Sequence, residues 1–431
     1  MKPDTLHILY GDIPVGTLAY AREKDEISLT YDESWQFGRE SFPISLSLPL
    51  AKRSHPDAAM RPFLQGLLPD NPAVIEAWGK RFQVSPRNPF DVIKHVGEDC
   101  AGAFQFVRPE RLDLILSGAL DSLVRLSEDD VAKRMIDLQS QARSIPTLLE
   151  GRFSLAGAQT KDALYQKDGG WFVPSGRIPS THILKPQLEE FEEHALNEHF
   201  CLKLASRLGL RSAESRILSV AGMKVLCVER YDRVTYTAGG PLVRLHQEDV
   251  CQALGRYPHQ KYQADGGPSA AEIANLLNRS SDDHEADVAT FIASLAFNWV
   301  IAGTDAHSKN YSLIHGQGSY LRSAPLYDLA SFLPYQRDPN STKVKLAMKI
   351  GGTYRLHEID ASHWEKWAEE VDLAPERVIR IVRLTVQGVM DSLDLVEETI
   401  REENDSPFIQ KLTDVINHRA ARCAELVTAA R

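Results

Sequence analysis

Phe297-Asn-Trp-Val-Ile-Ala-Gly-Thr-Asp-Ala-His-Ser-Lys-Asn-Tyr-Ser-Leu-Ile-His315 is the stretch whose reading decides the fold. Its first residues close an apolar run that begins near His284, HEADVATFIASLAFNWVIAG, and the pattern predicts a buried helix ending at Gly303. Asp305 follows at once, and Asn310 lies five residues beyond it. Further on, after the strand-like YLRSAPLY, comes a second acid, Asp328. A carboxylate set just past a rigid helix can orient a hydroxyl and accept its proton, and an amide five residues later can turn back toward a cation. Read alone, Asp305 and Asn310 would equally suit an ordinary helix-terminating turn.

Asp-x4-Asn is also the spacing of a protein-kinase catalytic loop, so the other parts of such a site should lie upstream. His182-Ile-Leu-Lys185 offers a lysine on a short apolar strand, which can reach phosphates or simply end a strand at the surface. Glu198, on the predicted helix HALNEHFCLKLASRLGL, is a candidate partner for it. That helix repeats Leu196, Phe200, Leu204 and Leu208 at four-residue spacing, and Gly209 can cap its end. Ser154-Leu-Ala-Gly-Ala-Gln-Thr-Lys161 carries small residues, free backbone N–H groups and a lysine between two strand candidates. It suits phosphate cradling but is neither Gly-x-Gly-x-x-Gly nor a Walker A, and a plain hairpin would explain it too. Val228-Glu-Arg-Tyr-Asp232 occupies the place of a hinge whose backbone meets a base, or that of a charged connector.

Beyond these segments the pattern is that of an α+β protein. LHILYGDIPVGTLAY predicts a hairpin around Gly11-Asp12, and ISLT and ISLSLPL predict further strands. Residues 61–110 predict short helices and turns, and Ser127-Glu-Asp-Asp130 opens a charged helix near 127–142. FSLAGAQTKDALYQ, GGWFVP, THILK and MKVLCVERYDR are strand candidates, and residues 245–431 read as mainly helical, with Ser269-x-x-Glu272 a capping box. With 431 residues the chain exceeds one ordinary core. The expected division is an N-terminal subdomain over 1–148, a small β-rich lobe over 149–235 and a helical catalytic lobe over 236–431.

Composition removes several classes. The net charge of −10 argues against a protein that grips DNA unaided. None of the five cysteines has Cys-x-x-Cys spacing, which leaves a zinc or redox motif unsupported. The N-terminus lacks the apolar core of a signal peptide, and no run of about 18 apolar residues occurs, so a cytoplasmic location is expected.

SLAGAQTK, THILKP, VERYDR, LHQEDVCQALG, YQADGGPS, AGTDAHSKN and PLYDLAS, in this order, resemble the motifs of the HipA family, as do FLQGLLPDNP and VGEDCAGAF nearer the N-terminus. The resemblance spans nearly the whole chain. It implies a two-lobed protein-kinase-like fold with an N-terminal β-rich subdomain, using ATP and magnesium. It implies Asp305 as catalytic base and Asn310 and Asp328 as metal ligands. Lys185 would hold phosphates under the loop Ala156, Gly157, Ala158, Gln159, Thr160 and Lys161. Glu229 and Tyr231 would flank adenine, with Asp232, His307 and Lys309 also at the nucleotide. Members are kinase toxins that phosphorylate themselves on the serine matching Ser154. Their partner is a small helix-turn-helix antitoxin through which DNA is bound indirectly, and the resemblance suggests a component of translation such as an aminoacyl-tRNA synthetase as the protein target. Three other functions use overlapping residues: a small-molecule phosphotransferase, a catalytically silent co-repressor, and a metal hydrolase built on Asp305, His307 and Asp328. The last lacks a second close histidine.

Overall fold

Alternation in the first thirty residues builds the first sheet. Leu6, Ile8, Leu18, Ile27 and Leu29 are fully buried on strands whose intervening residues are more exposed. Asp4–Tyr10 and Ile13–Ala21 form the expected hairpin around Gly11, whose φ of +63° suits glycine. The computed structural model describes residues 3–141, 153–157, 159–237, 240–337 and 342–428. The boundary expected at 148, and Ala158, lie outside them. Two units emerge: residues 1–186, 219–259 and 312–321 form one, and residues 187–218, 260–311 and 322–431 the other.

In the first unit the five-stranded antiparallel sheet runs Ser54–His55, Glu26–Tyr31, Ile13–Ala21, Asp4–Tyr10, Phe104–Val107. Helices Asp57–Gly66 and Pro89–Val96 share its core through Phe63 and Phe90. The segment ISLSLPL is not the strand its alternation predicts. The Ile44 N–H donates to the Tyr31 hydroxyl at 2.9 Å, that hydroxyl donates to the Leu48 carbonyl at 2.7 Å, and Leu48 N–H turns back to Ser45. Pro43 and Pro49 withhold two ladder donors, and one buried tyrosine satisfies the backbone that a neighbouring strand would have satisfied.

A second sheet of this unit orders Met223–Glu229, His182–Pro186, Asp162–Lys167, Gly170–Ser175 and Ser122–Leu126. The charged helix Glu128–Gln141 begins as expected, Ser127 and Asp130 exchanging hydrogen bonds at its start. Two shorter pairings matter for the site. Asp99–Cys100 lies parallel to Phe153–Ser154, and His246–Asp249 pairs antiparallel with Ser312–His315.

The second unit is helical. His194–Arg207 ends before Gly209, at φ +78°. Ala270–Ser280 starts with the Ser269–Glu272 capping box. His284–Ile301 is buried along most of its length, and Trp299 packs edge-on against Trp364 of Ala361–Glu370 at 5.9 Å. Pro375–Glu403 and Pro407–Thr428 complete it. The buried helix stops at Ile301, two residues before the expected Gly303, because Ala302 takes the left-handed conformation at φ 52°. All five cysteines are buried, and none forms a disulfide.

Candidate functional site

The second unit gathers Asp305, Asn310 and Asp328. Helix His284–Ile301 delivers a tight turn in which His307 N–H donates to the Asp305 carbonyl at 2.7 Å and Asn310 N–H to the His307 carbonyl at 2.9 Å. Asn310 then turns back, its Nδ2 donating to the Asp305 carbonyl at 2.8 Å. That bond uses the donor end of the amide and leaves Oδ1 as the end able to meet a cation. Around the turn His307, Ser308, Lys309 and Asn310 are buried, whereas the Asp305 side chain is 70% exposed. Asp305 is thus the one exposed carboxylate of an otherwise largely buried turn.

Asp328 is brought to the same region by its neighbours. The Tyr327 hydroxyl donates to the Lys309 carbonyl at 2.7 Å, the Ser331 hydroxyl to the Ile301 carbonyl at 2.6 Å, and Phe332 N–H to the Ala302 carbonyl at 3.1 Å. Three bonds thus tie the Asp-Leu-Ala-Ser segment to the end of the helix and to the catalytic-type loop. Asp328 itself has φ 52°, which costs a residue with a Cβ about 1–2 kcal/mol. Asn197 holds Ser331 from both sides, donating to its carbonyl and accepting from its N–H.

The first unit holds the remaining candidates. Ser154 is fully buried, and its hydroxyl donates to the Leu67 carbonyl at 2.8 Å. Gly157 has φ +115°, forms a parallel bridge with Pro69 and accepts from Asp70 N–H at 3.0 Å. The loop is therefore laced to the segment Leu67–Asp70. Within it, Lys161 Nζ donates to the Ala156 carbonyl at 2.6 Å, Gln159 to the Pro186 carbonyl at 3.2 Å, and the Thr160 hydroxyl to the Leu138 carbonyl at 3.0 Å. Lys185, opposite Leu226 in the sheet, is buried. Glu198 is also buried, but it belongs to the second unit.

Burial sorts the hinge candidates. Glu229 is exposed and Tyr231 half-buried, its hydroxyl donating to Gln247. Arg230, Asp232 and Arg233 point inward and are nearly inaccessible. They meet Asp99 and Arg244 in a buried charge cluster. Arg230 pairs with Asp232 at 2.9 Å, Arg233 with Asp232 at 2.8 Å and with Asp99 at 3.1 Å, and Arg244 with Asp99 at 3.5 Å. Ser180 donates to Asp99 through both its N–H and its hydroxyl. Burial alone would push the two carboxyls up, but the arginines overcome it and hold both below the usual carboxylate range. The Asp232 carboxylate, which also accepts from Gly102 N–H at 2.9 Å, is thus committed to the core. The sequence reading missed this cluster, since nothing in the spacing of Asp99 and Arg233 announces that they meet.

Such a division into a β-rich part with a lysine strand and phosphate-type loop, and a helical part with Asp-x4-Asn and a later aspartate, defines a kinase-like α+β protein. Residues 6–107 match the HipA N-terminal domain and residues 153–393 the HipA-like C-terminal domain. The chain is 36% identical over 430 residues to a protein of Sinorhizobium fredii named as a kinase, Y4mE, covering 97% of each. It is 28% identical to the serine/threonine-protein kinase toxin HipA of Shewanella oneidensis, over 95% of this chain and 93% of that one. The structure of Shewanella oneidensis HipA, solved with HipB and operator DNA, superposes with a TM-score of 0.83 at 25% identity, covering 98% of both chains. The chain belongs to the HipA family. No described helix is long and apolar enough to cross a membrane.

Proposed function

We propose that this chain is an ATP- and magnesium-dependent protein serine/threonine kinase and the toxin of a toxin–antitoxin pair. The observation that carries the reading is the exposed Asp305 carboxylate on a buried turn, with Asn310 folded back onto it and Asp328 tied to the same turn. Asp305 takes the proton of an acceptor hydroxyl as that oxygen attacks the γ-phosphorus of ATP, and ADP leaves as its bond to that phosphorus breaks. Asn310 and Asp328 would hold magnesium, and an all-oxygen donor pair suits that hard cation, which neutralises phosphate charge. Lys185 and the loop Ala156–Lys161 contact the phosphates, and Glu229 and Tyr231 the base. His307 and Lys309, both buried, hold the shape of the turn beneath the nucleotide.

The likeness to HipA solved with HipB and operator DNA supports a small helix-turn-helix partner that carries the DNA contact. An acidic chain of net charge −10 suits a basic partner. The acceptor is a cytoplasmic protein, an aminoacyl-tRNA synthetase by analogy with the family, and Ser154 is a self-modification site. Incubation with γ-labelled ATP and a lysate of the native host, followed by mass spectrometry, tests the activity. Label on protein hydroxyls is expected. Label only on small alcohols would replace this reading by a small-molecule phosphotransferase, and no label at all would make the chain a silent co-repressor.

A further inference from the structure

The segment Tyr262-Gln-Ala-Asp-Gly-Gly267 has no part in the assignments above, yet it is built onto the catalytic turn. Ser308 donates to the Lys261 carbonyl twice, through its N–H at 3.2 Å and its hydroxyl at 2.8 Å. Asp265 and Gly267 N–H groups both donate to the Tyr262 carbonyl at 3.0 Å. Gln263 accepts from the backbone N–H of Lys349 at 2.7 Å. A Cβ at Gly267 would lie 1.8 Å from the Gln260 carbonyl oxygen, and Gly266 has φ +84°, so both glycines are required by the path of the chain. Residues 261–267 are therefore fixed on one side to the catalytic turn and on the other to the strand Lys345–Ile350.

What this frame presents is the Tyr262 side chain. Its ring packs edge-on against His307, centroids 5.0 Å apart, and its hydroxyl donates to Oδ1 of Asp305. His307 Nε2 lies 4.0 Å from that same oxygen. An aspartate that is 70% exposed would otherwise sample its rotamers freely. Here one oxygen is engaged by a phenol on a rigid loop, and Oδ2 is the oxygen left to receive a proton.

We infer that Tyr262 is a positioning residue for phosphoryl transfer: it fixes the Asp305 carboxylate through Oδ1 so that Oδ2 faces the acceptor hydroxyl. This rests on Asp305 being the base. Because Tyr262 acts through the Asp305 carboxylate, its removal should lower the transfer rate and leave ATP affinity alone.

The test is Tyr262→Phe in the full chain, which keeps the ring against His307 and deletes only the hydroxyl. Single-turnover self-phosphorylation with γ-labelled ATP should be about tenfold slower at saturating ATP, the size of effect expected for one hydrogen bond to a charged group. The half-saturating ATP concentration should stay within about twofold. Crystal structures of both proteins should show Asp305 in one orientation in the parent and rotated or divided in the variant. An unchanged rate, a rate loss matched by lost ATP affinity, or an unmoved Asp305 would each overturn the inference. Should the parent transfer no phosphate, the kinase reading fails, and the pair of structures still decides whether Tyr262 sets the carboxylate.

Discussion

Replacing Asp99 by alanine should destabilise the first unit far more than removal of any surface carboxylate. Asp99 accepts from Arg233 and from two donors of Ser180, and lies 3.6 Å from Arg230 and 3.5 Å from Arg244. Without it, three arginines that are almost wholly buried face Asp232 alone. Breaking a buried ion-pair group by removing one member costs about 3–5 kcal/mol, because the charges left behind remain desolvated. That is a large share of the roughly 5–15 kcal/mol that stabilises a typical domain. Asp99→Asn keeps an acceptor for Ser180 and should lose less. Urea unfolding followed by circular dichroism reads the difference as a shift in midpoint. The pH dependence adds a second check. Folded-state values of Asp99 and Asp232 lie below the unfolded carboxylate value near 3.9, so their stabilisation is complete above that pH. It is lost as pH falls through the lower folded-state values, and the gap separating the parent from Asp99→Asn should narrow there. An unfolding free energy for Asp99→Ala within about 0.5 kcal/mol of the parent's would refute the reasoning, since that is the scatter of ordinary surface changes.

Three further outcomes are expected. Asp305→Ala should lower phosphoryl transfer by about 10² to 10⁴ while ATP binding stays measurable by calorimetry, and unchanged turnover would remove Asp305 from the mechanism. Asp328→Asn should weaken magnesium-dependent ATP binding more than Asp305→Ala does, because a metal ligand acts in the ground state; equal affinities in the two variants would count against its assignment. Mass spectrometry after ATP incubation should place phosphate on Ser154, and the phosphorylated form should bind ATP less well, because a group of about −1.5 to −2 charges cannot occupy a fully buried site bonded to the Leu67 carbonyl. Phosphate found only elsewhere would sink that switch.

Local patterns were readable where one short segment decides the outcome. The Gly11 hairpin, the Ser269–Glu272 capping box and the buried helix before Asp305 all rest on neighbours within a few residues, and all appear. The turn that carries Asp305 and Asn310 was legible for a related reason: it follows directly on one helix end. ISLSLPL failed because alternation predicts a strand without asking whether a partner strand is present, and Tyr31 took that place. Tyr262 was within a quoted motif but had no role, since only the folded loop brings its hydroxyl to Asp305. Asp99 and Arg233 are 134 positions apart, and two charges at that separation carry no sequence signal.

The same buried cluster explains why the N-terminal strands and the hinge candidates share one unit. Asp99 and Cys100 form a single short strand with two kinds of neighbour. On its backbone side it pairs with Phe153–Ser154, Cys100 opposite Ser154. Its polar groups meet the hinge instead: Asp99 receives Arg233, and the Cys100 carbonyl accepts from both Arg230 and Arg233, at 2.9 and 3.0 Å. Two residues of the N-terminal region therefore support the serine proposed for modification and the segment that carries Glu229 and Tyr231. Leu67 and Asp70, from the same region, hold the Ser154 hydroxyl and the Gly157 carbonyl. A phosphate on Ser154 would have to displace the buried hydroxyl from the Leu67 carbonyl, whereas the pairs of Asp99 with Arg233 and Arg244 do not run through Ser154.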